Sequence, residues 1–314
     1  MNYFLPLVAI TFILMTSCSK NPYASRKESG SLVLSISDND ILSYQYATMP
    51  PPEGVDSVFH RSGFIHPLKT LGGHTITAIH PEDHYHHFGV WNPWTRVVYE
   101  GDTIDFWNIG DKKGTVRFKE FKKIGDNTFS THHEHVVLKS KPEKVALNEI
   151  QTVTVNELDD KAYILDINIE YQTTDSDFKL IEYRYGGFSI RATKEWTDAN
   201  SEILTSEGIS RENVDGSLAQ WCLVQGDLGN EHGGFLLMSN PNNYNHPEPL
   251  RIWPKEMHDG YIFVNVCPIK TKDWVMKANN TYHLQYRIVV FDGEMDALQA
   301  KGLWDSYNQQ EHEN

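Results

Sequence analysis

Cysteine is almost missing from this chain: Cys18, Cys222 and Cys267 are the only three in 314 residues. No Cys-x-x-Cys pair occurs, which excludes a zinc-finger framework and a dithiol redox centre. Cys222 and Cys267 lie in apolar runs, so buried free thiols are expected rather than a disulfide. Long apolar segments are equally scarce. Residues 4–15 form the single run, too short to span a bilayer comfortably. Positive charge is thin, with 28 Lys and Arg against 42 Asp and Glu, a net charge of -14, and no basic run of five or more. That balance argues against nucleic acid as a partner, while an acidic small molecule held by a few arginines stays possible. The chain also has no Gly-rich phosphate loop, Gly-x-Ser-x-Gly elbow or His-Glu-x-x-His motif.

What is present begins with an address. The apolar run leads into Met15-Thr16-Ser17-Cys18, which resembles a bacterial lipobox, although the segment before it has no Lys or Arg. Residues 1–18 are therefore expected to be a lipoprotein signal peptide, with Cys18 lipidated and residues 19–30 a polar tether. Ser19 stands where an aspartate would retain a lipoprotein at the inner membrane. An outer-membrane lipoprotein facing the periplasm or the cell surface is the expected location, with the membrane met only through the lipid.

Residues 31–310 read as one β-domain. Residues 32–36, 116–121, 149–155, 163–171 and 283–291 are rich in β-branched and aromatic side chains, and residues 163–171 alternate by polarity. Turn-forming clusters at 125–127, 159–160, 175–177 and 229–230 separate such runs. The expectation is an all-β, large antiparallel sandwich. Helical patterning is confined to residues 295–307, where Met295, Leu298, Leu303 and Trp304 mark a short C-terminal helix. Residues 50–63 and 195–220 read as long loops, the second of them acidic.

Chemistry concentrates in residues 80–94, where His80, His84, His86 and His87 fall beside Glu82, Asp83, Trp91 and Trp94. Imidazoles exchange protons near neutral pH or bind metals, and indole faces stack on sugar-like surfaces. An extended backbone would place His84 and His86 together, whereas a helical turn would pair His84 with His87. Asp105 and Trp107, on an alternating strand, would set a carboxylate beside a stacking platform; a turn-capping aspartate with a core tryptophan is the equal alternative. Glu207 in the acidic loop needs burial to serve as a base. Residues 240–253, broken by three prolines, offer His246, Arg251 and Trp253. A second cluster, His132, His133 and His135, reads mainly as a polar strand face, with His133 and His135 on the same side.

The motifs His66-Pro67-Leu68, Asp83-His84-Tyr85-His86-His87-Phe88-Gly89-Val90-Trp91 and Asp105-Phe106-Trp107 resemble the opening signature of the PmoA-like family of bacterial proteins. Gly187-Phe188-Ser189-Ile190-Arg191, Ser206-Glu207-Gly208, Asn245-His246-Pro247 and Leu284-Gln285-Tyr286-Arg287 follow in the same order. Tyr85 and Phe88 depart from it, standing where the family tends to have proline and arginine. The resemblance implies a secreted or lipid-anchored β-protein with a galactose-mutarotase-like supersandwich, whose concave sheet presents histidines and a carboxylate to a sugar. It brings in His66 and lifts Glu207 above an ordinary loop glutamate. A methane-oxygenase subunit, which the family name evokes, is a multi-span membrane protein and does not fit one short apolar run.

The combined expectation is a carbohydrate-active lipoprotein working by acid/base chemistry, of epimerase, lyase or glycosidase type. His84, His87, Asp105, Glu207 and His246 are the candidate catalytic residues. His66, Trp91, Trp107, Arg251 and Trp253 are the candidate contacts to a carbohydrate or sugar-derived ligand. No cofactor is required. Two alternatives accompany this reading: a non-catalytic glycan-binding lipoprotein, and a metal-dependent enzyme using His84, His86 and His87.

Overall fold

The computed structural model describes residues 21–313, with side chains through 310. The signal segment, Cys18 and the start of the tether lie outside the described residues. Two eight-stranded sheets and one four-stranded sheet, all antiparallel, make up the body. The first sheet runs in the order Tyr23–Glu28, Ser31–Ile36, Asn39–Gln45, Phe64–Leu68, Val90–Trp91, Ser189–Arg191, Phe263–Val266 and Leu250–Ile252. The second runs Ser201–Thr205, Trp221–Leu228, Glu231–Ser239, Thr281–Asp292, Ala162–Thr173, Lys144–Glu157, Thr128–Val137 and Gly114–Ile124.

Period-two patterning explains how the sheets meet. Along Ala162–Thr173 the side chains of Tyr163, Leu165, Ile167, Ile169 and Tyr171 are buried. Asp166, Asn168 and Glu170 turn the other way, because successive strand side chains point to opposite faces. The inward rows of both large sheets join one hydrophobic cluster, sealed by contacts such as Phe188 stacked on Tyr286 at 4.5 Å. This is a β-sandwich. The third sheet, Trp274–Met276, Phe178–Leu180, Val97–Tyr99 and Asp102–Ile104, adds Trp274 and Phe178 to the same core.

The helix Ala297–Glu313 covers the other face of the second sheet. Asp296 caps it, accepting from the backbone N–H of Leu298 and Gln299, while Gln299 accepts from the Asp296 N–H. Ala300, Trp304 and Tyr307, on one helical stripe, pack on Trp221, Met238 and Phe291. Leu298, expected on that stripe, is exposed.

Several expected loops carry structure. Residues 23–28, assigned to the tether, form the edge strand beside Ser31–Ile36. Residues 195–220 contain the strand Ser201–Thr205, whose Ile203 and Thr205 point inward. Leu250–Ile252 becomes an edge strand directly after the last proline of residues 240–253. Cys222 and Cys267 are free and buried, and burial pushes the Cys222 thiol up to about 12.

Candidate functional site

The outer face of the first sheet carries its own aromatic cluster, Phe64, Phe88, Trp91, Trp107, Trp253 and Phe263, apart from the main core. Strand alternation puts it there: Val90, Ile190 and Val264 pair across the sheet and point to the core, so Trp91, Arg191 and Phe263 point outward. The histidine-rich segment lies over this face as a hairpin loop. The bridge between Ile79 and Phe88 closes it, and two successive turns, His84 N–H to Pro81 O and His87 N–H to His84 O, fold it. Gly89 anchors the return. Its φ is +58°, and a Cβ there would stand 2.2 Å from the Ile65 carbonyl oxygen.

These turns decide between the two backbone expectations. The His84 and His87 rings stack at 4.7 Å, so the turn applies, yet His86 also joins them, 4.9 Å from His87. A fourth imidazole, His258, stands 4.8 Å from His84 and 4.0 Å from Trp253. Together with Trp107, Trp253, Arg184, Tyr185 and Arg251 they surround a cavity of about 270 Å³. No carboxylate lines it among the described residues. A wider depression of about 820 Å³ against the helix holds a single imidazole, His232, already paired with Asp227 at 3.1 Å.

Three of the cavity imidazoles, His86, His87 and His258, are held below their ordinary value, first of all by burial. Burial holds His87 well below its ordinary value, helped by the neighbouring cationic and imidazole groups, and holds His86 down to about 4. His87 is enclosed by Trp91, Trp253 and Phe263, and its Nδ1 is buried with no hydrogen-bond partner. At the rim, Asp83 accepts from His84 Nδ1 at 3.1 Å and from Arg191 Nη2 at 2.9 and 3.1 Å. The Arg191 guanidinium is itself buried over the Trp253 ring.

The remaining expected residues divide. Trp107, Arg251 and Trp253 line the cavity with His84 and His87. Trp91 lies beneath them as packing, 5.1 Å from His87 and 5.4 Å from Trp107. Arg251 is paired with Asp215 at 2.5 Å. Asp105 is not on a strand. It caps a turn, accepting from the backbone of Trp107 and Asn108 and from Thr95 Oγ1 and Asn108 Nδ2, so its lone pairs are spent positioning Trp107. Glu207 is exposed in the turn after Ser201–Thr205, bonded to Ser206, and does not line the cavity. His246 stacks on Trp304 of the helix and lies 3.3 Å from Ser239 Oγ, on a different side of the sandwich from the cavity. His66 shares a hydrogen bond with Thr77 below the loop, its pKa lowered to about 4 by burial. Phe88 points into the aromatic cluster under the Arg61 guanidinium, so the departure from arginine there falls outside the cavity wall.

His258, Arg184, Tyr185 and Asn108 are cavity residues that the sequence reading missed. The only available signal was that His258 follows the platform tryptophan Trp253 by five positions. The second histidine cluster is also corrected. His133 and His135 do share a face, but that face is inward: both are at most 1% exposed and both donate to Glu149 on the neighbouring strand. Tyr44 and Thr131 complete the shell of His133. Burial alone would push the Glu149 carboxyl up, yet the two imidazole bonds outweigh it and hold it at about 2.

A β-sandwich carrying an imidazole-lined cavity on the outer face of one sheet is the class defined here. Residues 31–305 match a family of unknown function, DUF6807, and the chain belongs to it. No curated protein matches the chain. Among solved structures, the heparan sulfate lyase HepC of Pedobacter heparinus is 10% identical, with 87% of this chain and 37% of the lyase covered and a TM-score of 0.38. This chain thus spans little more than a third of that enzyme. A galactose mutarotase related enzyme of Lactobacillus acidophilus is 9% identical, with 87% and 100% covered and a TM-score of 0.45. A galactose mutarotase-like protein of Lactobacillus casei is 9% identical, with 85% and 99% covered and a TM-score of 0.43. At such identities the chemistry of those proteins does not transfer to this one.

Proposed function

We propose that the cavity binds one ring of an acidic sugar or sugar derivative and moves a proton on it. The observation that carries this reading is the convergence of four imidazoles and two arginines on one aromatic-walled space that, among the described residues, no carboxylate lines. A cavity of about 270 Å³ suits a single sugar ring, with Trp107 and Trp253 as stacking surfaces. Among the described residues Arg184 has no carboxylate partner; its guanidinium lies over Tyr183 and Tyr185, free to receive an anionic group.

A lining without carboxylates speaks against glycoside cleavage by paired acids. It favours removal of the proton beside a carboxylate. His258 takes that proton, and the C–H electron pair moves into the carboxylate, whose doubled charge faces the Arg184 guanidinium. Collapse of the pair expels the β-oxygen, which takes the proton that His258 removed, in a lyase; in an epimerase water gives a proton to the opposite face and His258 returns its own to solvent. The kinship with PmoA-like proteins belongs to this reading, because the segment that carries the resemblance builds the cavity loop. So does the address: Cys18 holds the lipid, and the sandwich works at the outer membrane. Labelled palmitate retained by the parent and lost in Cys18→Ser tests that part; equal labelling contradicts it.

The test of the cavity is tryptophan fluorescence with polygalacturonate fragments, glucuronate-containing oligosaccharides, and glucose and galactose as neutral controls. Saturable quenching by an acidic member, lost in Trp253→Ala, is expected. An elimination product shows the ultraviolet absorbance of its new double bond, and His258→Ala lowers its rate by about 10²–10⁴-fold while binding persists. Binding without any product supports the non-catalytic glycan-binding alternative. No response to any member overturns the sugar reading.

A further inference from the structure

We infer that His84, His86 and His87 are the three protein ligands of a divalent transition-metal ion, whose open coordination positions face the cavity. Each residue offers a ring nitrogen, and the three nitrogens lie within 4.8 Å of one another. Around a zinc-like ion, with metal–nitrogen bonds of about 2.0–2.1 Å, ligand nitrogens stand roughly 3.3–3.5 Å apart, so modest rotation of the rings closes the set. This inference rests on the cavity being the ligand site and names what holds the substrate's oxygen there.

Three features beyond proximity point to a metal. First, the buried His87 Nδ1 has no hydrogen-bond partner, a state that costs about 1–3 kcal/mol in an interior unless something fills it. Second, Asp83 accepts from His84 Nδ1, which assigns the proton to that nitrogen and leaves the Nε2 lone pair for an ion. Arg191 fixes Asp83 in turn, so the orientation is built through two layers. Third, the trio sits on consecutive tight turns packed by Trp91, Trp253 and Phe263, a rigid mount rather than a loose surface group.

A competing set, Asp83, His84 and His258, is equally compact. It is the poorer choice. Arg191 donates to both Asp83 oxygens, so a cation there would face a guanidinium and compete for the same lone pairs. Excluding it leaves His258 free as the proton carrier. Three imidazoles with no carboxylate make a site for zinc or a first-row neighbour rather than for magnesium or calcium. With three protein ligands and the cavity beyond, the ion is open to substrate, and as a Lewis acid it would stabilise the oxyanion formed on proton removal.

The test uses the purified full-length chain stripped with chelator and titrated with Co²⁺ alone, followed by visible absorbance, with Zn²⁺ uptake measured against a chromogenic chelator. One ion per chain and a ligand-field band are expected. His86→Ala should abolish the band, Asp83→Asn should weaken affinity by about 10–100-fold, and His258→Ala should leave it within about threefold. If His87→Ala fails to fold, the half-buried His86, replaced by Ala or Asn, carries the result, with circular dichroism confirming the sandwich. No stoichiometric uptake, equal uptake by every variant, or a loss in His258→Ala matching that in His86→Ala overturns the assignment. The fluorescence screen on stripped protein separates the two readings. Saccharide quenching without ion uptake sinks the metal alone, and ion uptake without any saccharide response sinks the sugar alone.

Discussion

The molecule holds two groups of histidines, and they behave differently. In the sandwich interior, His133 and His135 reach Glu149, while Tyr44 and Thr131 take the far nitrogen of His133. On the outer sheet face, His84, His86, His87 and His258 touch mainly one another and aromatic rings, and one buried nitrogen has no partner. The interior group is held by a buried carboxylate and closed to solvent, although His135 Nδ1 too has no hydrogen-bond partner. The outer group is under-bonded and opens to a cavity. Clustering of histidines therefore says little by itself; a carboxylate partner in the interior and an open cavity beside the outer rings separate scaffold from site.

The largest expected effect tests the scaffold side. Glu149→Gln removes the charge that His133, His135 and the buried Arg61 face, which should cost about 3–5 kcal/mol in urea unfolding. Where the variant folds, Co²⁺ uptake should be unchanged. Loss of uptake with an intact sandwich would mean that the two groups are coupled.

Next comes Glu248, a buried carboxyl with no cation among its hydrogen-bond partners in the described residues. Burial raises it to about 7, against the pull of hydrogen bonds from Ser239, Asn243 and Tyr286; its ionisable neighbours Tyr171, Tyr286 and Cys267 are themselves pushed up and neutral. The folded state holds this proton more tightly than the unfolded state. Its contribution is therefore complete below pH about 4.5, falls by on the order of 3 kcal/mol as pH rises to about 7, and is flat above. Histidines lowered by burial give the opposite slope, so the difference between parent and Glu248→Gln unfolding isolates the term. A difference independent of pH would contradict it.

A smaller effect is expected at the hinge of the cavity loop. Gly89→Ala puts a Cβ against the Ile65 carbonyl at positive φ, for about 1–3 kcal/mol of destabilisation in thermal unfolding. It should also displace His87 and weaken cavity binding, whereas Glu149→Gln should not. The smallest effect belongs to Glu207→Gln: an exposed loop side chain should shift stability by less than about 0.5 kcal/mol and leave saccharide quenching unaltered. A large loss of quenching would return that glutamate to the site.

The strands were readable because period two is a local signal. Residues 163–171 show it, and the observed strand Ala162–Thr173 extends them by only a few positions. The cavity loop was readable because its histidines crowd into one segment. What it meets was not: His258 and Arg184 are ordinary residues in distant segments, brought in by cross-strand register. Direction was equally hidden. His133 and His135 were correctly placed on a shared face, yet only pairing of Glu149 with His133 across neighbouring strands makes that face the interior. Asp105 and Glu207 were drawn toward the site by residue type. Hydrogen bonds from Trp107 and Asn108 in one case, and exposure in a turn in the other, hold them outside the cavity lining.

The most direct measurement follows the imidazole ¹⁵N resonances of the full-length protein during titration with the acidic saccharides of the fluorescence panel. The account predicts saturable shifts at His84, His86, His87 and His258, with His133 and His135 unmoved. Shifts confined to His133 and His135, or no cavity resonance moving with any saccharide, would contradict it.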